Sequence, residues 1–270
     1  MTMIIDEQKL HTIMARPVTP ANPVELRRDG KVFFVGGDLP VNETLETMFE
    51  SFCMESTDLF HLSFGARDGF HRGEELARQI KKNFNVRLMG RLEYPASERI
   101  IERAYAAGVD ILDISAPDAV PSLAGERGGA GQEFRAALLA AGQLFPRWSA
   151  ASTLVVGPEP PVSVADAIDV LLNAGVMPLV ALSVQAVHYP YEAVAAVFDR
   201  LATGWERHHA TVQPFLPLIS LMTPLVPAET TGRLRGLINR IHDRHLLAAS
   251  DLRRHLRVKS VNDSLDSAGL

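Results

Sequence analysis

The chain has 270 residues, of which 47% are hydrophobic, with 32 acidic and 27 basic side chains and a formal net charge of −5. This length fits one large α/β domain or two small ones, and the lack of a concentrated basic region argues against a nucleic-acid partner. The single cysteine, Cys53, excludes an internal disulfide. The first residues lack the pattern of a secretory signal and no apolar stretch has the length of a membrane span, so we expect a cytoplasmic protein with no membrane partner.

Residues 1–30 contain several prolines and are predicted to form a short helix and an extended arm. From residue 31 onwards, short apolar runs that are typical of buried parallel strands alternate with helical stretches. The predicted strands cover residues 32–35, 58–64, 86–90, 109–114, 152–156 and 178–183. The predicted helices cover residues 42–56, 74–83, 97–107, 133–144, 163–175 and 191–201, with Ser97 and Ser163 as N-caps.

Six consecutive β–α units predict a parallel sheet with right-handed crossovers. The segment Gly36-Gly37-Asp38 lacks the later glycines of a dinucleotide-binding fingerprint, which disfavours a doubly wound sheet. We therefore predict an α/β fold, a partial or full parallel (β/α) barrel of about six β–α units. The barrel is expected over residues 31–205. A helical C-terminal extension, with an apolar proline-rich segment at 210–228 and helices at 230–256, is expected to pack on it within residues 206–270.

Two segments resemble a known family. The first is Val-Asp-Ile-Leu-Asp-Ile-Ser at 109–115, and the second is Ser-Thr-Leu-Val-Val-Gly-Pro-Glu-Pro at 152–160, which precedes a predicted helix. In layout, residues 30–205 resemble the barrel of the radical S-adenosylmethionine superfamily, in particular its biotin-synthase-like group. The most specific likeness is the phrase around Gly157 and Glu159.

The loop after the first predicted strand departs from that family. Members carry a C-x-x-x-C-x-x-C motif there, whereas residues 36–43 of this chain contain no thiol. An iron–sulfur cluster needs three or four protein thiolates. The resemblance thus implies a degenerate member with no iron–sulfur cluster, which is not a functional radical enzyme on its own but can still bind S-adenosylmethionine.

Ligands of parallel barrels bind at the carboxyl ends of the strands. The resemblance implies that Gly157 and Glu159 approach adenine or another planar group and that Arg135 binds a carboxylate. Asp113 and Ser115 alternate with apolar residues, so we expect both to point into the barrel or toward its mouth, where ribose hydroxyls would serve as partners of Asp113. Gly65 belongs to the altered glycine-rich patch after the second strand. Three structural interpretations stay open beside these roles: a tight turn at Gly157, an arginine partner for Asp113, and a solvated Arg135.

Three further residues at the strand ends could support acid–base catalysis: His188, Asp68 and Glu93. The phrase Arg67-Asp68-Gly69 is similar to one in metal-dependent lyase barrels, although a salt-bridged turn is the more common origin. The histidines show no zinc-binding spacing, and no metal site is predicted. His61 lies within a predicted strand and is expected in the core or at the barrel mouth.

These patterns favour a non-redox accessory protein of a biosynthetic pathway. It would hold S-adenosylmethionine or a nucleotide and associate with a protein partner or a second copy of itself. The alternative is a cluster-independent TIM-barrel lyase or transferase that uses carboxylates and His188, with or without a divalent metal. A purely structural subunit is the third hypothesis.

Overall fold

The largest element of the fold is a seven-stranded sheet. The computed structural model describes residues 2–19, 22–54, 57–115 and 129–228. Nine strands occur in these ranges: β1 (Met3–Ile5), β2 (Leu26–Asp29), β3 (Val32–Gly36), β4 (Leu59–Ser63), β5 (Arg87–Leu92), β6 (Ile111–Ile114), β7 (Ala150–Val156), β8 (Met177–Leu182) and β9 (Leu225–Pro227).

Eight α-helices occur in the same described ranges. They are α1 (Glu7–Ala15), α2 (Val41–Met54), α3 (Phe70–Asn83), α4 (Glu98–Ala106), α5 (Gly129–Leu144), α6 (Pro161–Asn173), α7 (Tyr191–Arg207) and α8 (Leu216–Met222). Each strand from β3 to β8 is followed by one of the helices α2 to α7, which confirms the predicted alternation.

The strands of the sheet are neighbours in chain order, from β2 to β8. The six strands β3–β8 are parallel, and β2 joins the edge antiparallel to β3. Crossovers between parallel strands follow one hand as a rule. With the strands in chain order, such crossovers place the connecting helices on one face, and the sheet curls around its other, concave face. The edge strands β2 and β8 are not paired with each other in the described sheet, so the architecture is a half-barrel and not a closed barrel.

Strand register decides which side chains face the helices and which face the concave side. Phe33 of β3 pairs with Phe60 of β4, and Phe60 makes an edge-to-face contact with Phe84 at the end of α3. These rings therefore belong to the helix-covered side. Side chains alternate along a strand, so Phe34 and its partner His61 point to the concave side.

The residues at two helix ends explain where those helices end or begin, and one of them corrects a prediction. Gly108, with φ of 108°, follows α4 and allows the chain to turn into β6. The predicted cap at Ser163 is wrong, because α6 begins at Pro161 with Pro160 in the cap position. Proline has no amide hydrogen to satisfy and has a helix-compatible φ, which favours it in the first turn.

The two ends of the described chain meet outside the main sheet. Strand β1 pairs antiparallel with β9, with Ile4 opposite Val226. The Asp6 amide donates to the Pro224 carbonyl at 2.9 Å, and the Asp6 side chain caps α1. The predicted short helix of the arm is present as α1, whereas β2 belongs to the main sheet. The helices predicted at 230–256 and most of the glycine-rich loop at 123–132 lie outside the described residues.

No helix within the described ranges combines the length and the apolar character that crossing a membrane requires.

Candidate functional site

Four buried polar side chains cross the concave face, one from each of four adjacent strands. They form what we call the polar row: His61 of β4, Arg91 of β5, Asp113 of β6 and Thr153 of β7. Arg91 and Asp113 are direct register partners, and Ser63, two residues after His61, pairs with Arg91. Side chains on diagonal positions of neighbouring strands come within reach of a long arginine. The parallel register therefore brings the row together near the carboxyl ends of the strands.

Asp113 is the most highly coordinated member of the polar row. Its Oδ1 accepts from Ser115 Oγ at 2.7 Å and from the Thr153 amide at 2.9 Å. Its Oδ2 accepts from Thr153 Oγ1 at 2.8 Å and, more weakly, from Arg91 Nη1 at 3.5 Å. This matches the interpretation in which Asp113 has an arginine partner. A ribose hydroxyl would have to replace one of these donors.

Arg91 connects the polar row to the rim of the half-barrel. Its Nε donates to Glu93 Oε1 at 3.1 Å, and the Arg91 side chain is 10% exposed while that of Glu93 is 51% exposed. The buried guanidinium is thus paired with one buried carboxylate, that of Asp113, and with one carboxylate that reaches in from solvent. Glu93 lies next to the polar row, but its role in catalysis remains a prediction.

His61 is the member of the polar row in which a polar atom lacks a hydrogen-bond partner. Only 1% of its surface is exposed, and its Nδ1 has no hydrogen-bond partner. Burial lowers the pKa of His61 to about 4, and the nearby charge of Arg91 acts in the same direction, against the opposing effect of Asp113. The imidazole is therefore neutral at pH 7. Its ring lies 5.2 Å from the ring of Phe34.

Gly157 lies where two loops approach each other closely. Its φ is 131°, and a Cβ at this position would be 2.0 Å from Ser183 Oγ, in the loop after β8. Its amide donates to the Glu159 carbonyl at 3.1 Å, and Glu159 is partly buried. The close approach that requires glycine here is to Ser183, which favours the tight-turn interpretation of this segment.

The patch after β4 forms a short turn. Gly65 has φ of 72° and lies against Pro23. Residues Arg67–Gly69 form a 3-10 turn in which Asp68 is exposed. Arg67 donates to the Pro95 carbonyl at 2.8 Å instead of forming the salt-bridged turn with Asp68. Asp68 thus stands at the rim of the half-barrel.

Two other predicted site residues lie away from the polar row. Arg135 is on α5 and lines a groove of about 280 Å³ beside Val170 of α6, on the helix-covered side of the sheet. His188 is exposed at the end of the 3-10 helix Val184–His188 that follows β8.

Thr153 is a member of the polar row that its residue type alone does not reveal, although its position in β7 gives a local signal. Residues 151–156 alternate along β7, so Ser152 and Thr153 must face opposite sides of the sheet. Only one of the two hydroxyls can face Asp113, and the register shows that it is Thr153.

No protein-family model matches this chain, and a comparison with curated proteins gives no significant match. Among the described residues, no three His, Cys, Asp or Glu side chains cluster in a way that could hold a metal ion.

Proposed function

We propose that this protein is a degenerate relative of the radical S-adenosylmethionine barrels that binds a small polar ligand on its concave face and performs no redox chemistry. The ligand is S-adenosylmethionine or a related nucleotide. In this proposal the protein is an accessory subunit of a biosynthetic enzyme, and it recognises its ligand without iron.

The observation that carries the proposal is the burial of the polar row. Burying an arginine and a carboxylate costs desolvation energy that a well-packed apolar pair would avoid. The helix-covered side of the same sheet is dominated by aliphatic and aromatic side chains, such as those of Phe60 and Leu62. A polar row confined to one face, at the strand ends where parallel barrels bind ligands, is the arrangement expected for a ligand-binding surface.

The position of the ligand follows from the exposure of the polar row. The exposed tenth of Arg91 and the half-exposed Glu93 mark the side on which solvent reaches the row. The turn at Gly157 and Glu159 follows β7 at the same edge of the sheet. A ligand bound there would lie over the ends of β5–β7, with Asp113 and Ser115 beneath it.

A ligand that binds only the folded form raises its stability, by about 2.7 kcal/mol at a concentration of 100 Kd. We expect S-adenosylmethionine or S-adenosylhomocysteine to raise the melting temperature of the purified chain. Arg91→Met should abolish this shift, whereas the matched control Arg200→Met should keep it. Arg200 is also paired with a carboxylate, that of Asp169, but the pair joins α7 to α6 on the helix-covered side.

An unchanged melting temperature with both S-adenosylmethionine and S-adenosylhomocysteine would refute the proposed ligand. Stabilisation by magnesium, manganese or zinc that is lost in Asp68→Ala would instead support the lyase or transferase alternative. Native mass spectrometry of freshly purified protein then identifies any small molecule or subunit that stays attached.

A further inference from the structure

The Nδ1 atom of His61 is buried without a hydrogen-bond partner among the described residues. This arrangement is destabilising unless another group, such as one on a ligand, supplies the hydrogen bond. A buried polar atom without a hydrogen bond costs about 1–3 kcal/mol. The atom lies in the middle of a parallel sheet, on the face that carries the polar row, and it is not forced there by a loop or a chain end. A leucine in place of His61 would have no polar atom and would avoid this cost.

The charged groups around His61 already have ionic partners within the protein. On β5, Arg91 is paired with Asp113 and Glu93. A charged ligand group next to His61 would therefore be buried without a counter-ion, which is costly. The complementary group is polar and uncharged.

The second arginine near His61 is also paired. On β2, Arg27 lies 4.8 Å from the ring centre of Phe34, the register partner of His61. Its Nη1 contacts Glu25 at 2.9 Å, and its Nε contacts Asp29 at 2.7 Å. Both arginines that act on His61 thus have carboxylate partners.

A neutral imidazole has one donor nitrogen and one acceptor nitrogen, and it can exchange these roles by changing tautomer. A hydroxyl group likewise donates and accepts, so it matches Nδ1 in either tautomer. The aromatic ring of Phe34 provides an apolar wall beside it. We infer that His61 is a specificity-determining residue whose Nδ1 hydrogen-bonds an uncharged hydroxyl group of the ligand, such as a sugar hydroxyl. This inference rests on the proposed function, because it assigns one contact of the same site.

The test compares two buried polar atoms on opposite faces of the sheet. Ser152 Oγ also lacks a partner and is fully buried, but it faces the helices. We expect His61→Leu to leave the melting temperature of the ligand-free protein unchanged or raised, and to weaken adenosine or S-adenosylmethionine binding by about tenfold. Ser152→Ala should show the same ligand-free behaviour with wild-type affinity. His61→Gln, which keeps a donor and an acceptor, should recover part of the affinity.

NMR of the wild-type protein tests the role of His61 without a substitution, so the test remains possible if His61→Leu does not fold. The ring nitrogens of wild-type His61 are followed by ¹⁵N NMR during titration with methyl riboside and with adenosine. We expect the Nδ1 resonance to shift with both. An Nδ1 that responds to neither compound overturns the inference.

The outcomes separate the inference from the proposed function. A response to methyl riboside without stabilisation by S-adenosylmethionine or S-adenosylhomocysteine would refute S-adenosylmethionine binding and keep the role of His61. Stabilisation by S-adenosylmethionine with equal affinity in wild type and His61→Leu would keep the function and refute the role of His61. A clearly lowered melting temperature of ligand-free His61→Leu would also refute the role of His61. Such a result would show that Nδ1 already has a hydrogen-bond partner within the protein.

Discussion

Thr153 holds Asp113 with two groups at once: its amide donates to Oδ1 at 2.9 Å and its hydroxyl donates to Oδ2 at 2.8 Å. These residues are 40 positions apart in the chain and lie on adjacent strands. The pair fixes the carboxylate in one orientation, in which Oδ2 also faces Arg91. It therefore joins β6 and β7 and sets the geometry of the polar row.

Loss of the Asp113 carboxylate should destabilise the fold strongly. Asp113→Ala leaves the Arg91 guanidinium with only the exposed Glu93 and leaves the Thr153 and Ser115 hydroxyls without their acceptor, so we expect a cost of about 3 kcal/mol. Thr153→Val should cost about 1 kcal/mol, because the amide contact remains. The measurement is the free energy of unfolding in urea.

Asp58→Ala serves as the control for Asp113→Ala. Asp58 pairs with Lys31 at 2.9 Å, but both side chains are exposed, and such pairs contribute less than about 1 kcal/mol. Equal costs for the two aspartate substitutions would contradict the central position of Asp113.

The buried imidazole predicts a specific pH dependence. The pKa of His61 falls from 6.5 to about 4 in the folded protein, mainly through burial. Below pH 6.5 the unfolded chain takes up a proton that the folded chain does not, so stability is full above pH 6.5 and is lost as the pH falls toward 4. One pKa unit corresponds to about 1.4 kcal/mol, which gives a loss of about 2 kcal/mol by about pH 5.

Urea unfolding at about pH 7.5 and about pH 5 measures this effect. His61→Leu should remove the difference attributable to the imidazole, and His188→Gln, at an exposed histidine, should retain it. An unchanged pH dependence in His61→Leu would show that other groups are responsible.

Two glycines provide a matched pair for backbone strain. Gly157→Ala should destabilise the protein by about 1–3 kcal/mol or more, because its φ is 131° and its Cβ would meet Ser183 Oγ at 2.0 Å. Gly142→Ala should be neutral or stabilising by about 0.5–1 kcal/mol, since Gly142 lies in α5 and its Cβ would meet no atom within 4 Å. Thermal unfolding of the two variants tests this contrast, which would fail if both shifted in the same direction.

The contact between α3 and α4 depends on a buried carboxylate. The Glu74 side chain is 6% exposed and accepts from Arg78 on its own helix and from Arg103 of α4, which also lies 5.0 Å from the Phe70 ring. We expect Arg103→Ala to cost about 1 kcal/mol and Arg78→Ala, which breaks an i,i+4 pair within one helix, about 0.5 kcal/mol or less. Chemical denaturation should rank the two variants in this order. The reverse order would indicate that the link between the helices contributes little.

The candidate site was only partly predictable from residue types. The alternating spacing of Asp113 and Ser115 predicts that both side chains point the same way, and they do share one hydrogen-bond network. Arg135 was chosen through the resemblance, and it lies on the helix-covered side. A helix position alone does not specify which way a side chain points relative to a sheet, because the rotation of the helix is set by its packing.

The sequence by itself determined the alternation of strands and helices, their order and the two-residue periodicity along each strand, because these depend on local hydrophobic pattern. Its single cysteine likewise fixes the thiol content. Only the tertiary structure decided that the sheet stays open, that Thr153 donates two hydrogen bonds to the Asp113 carboxylate and that His61 Nδ1 lacks a hydrogen-bond partner among the described residues. These features depend on strand curvature and on contacts between residues far apart in the chain, which local pattern does not encode.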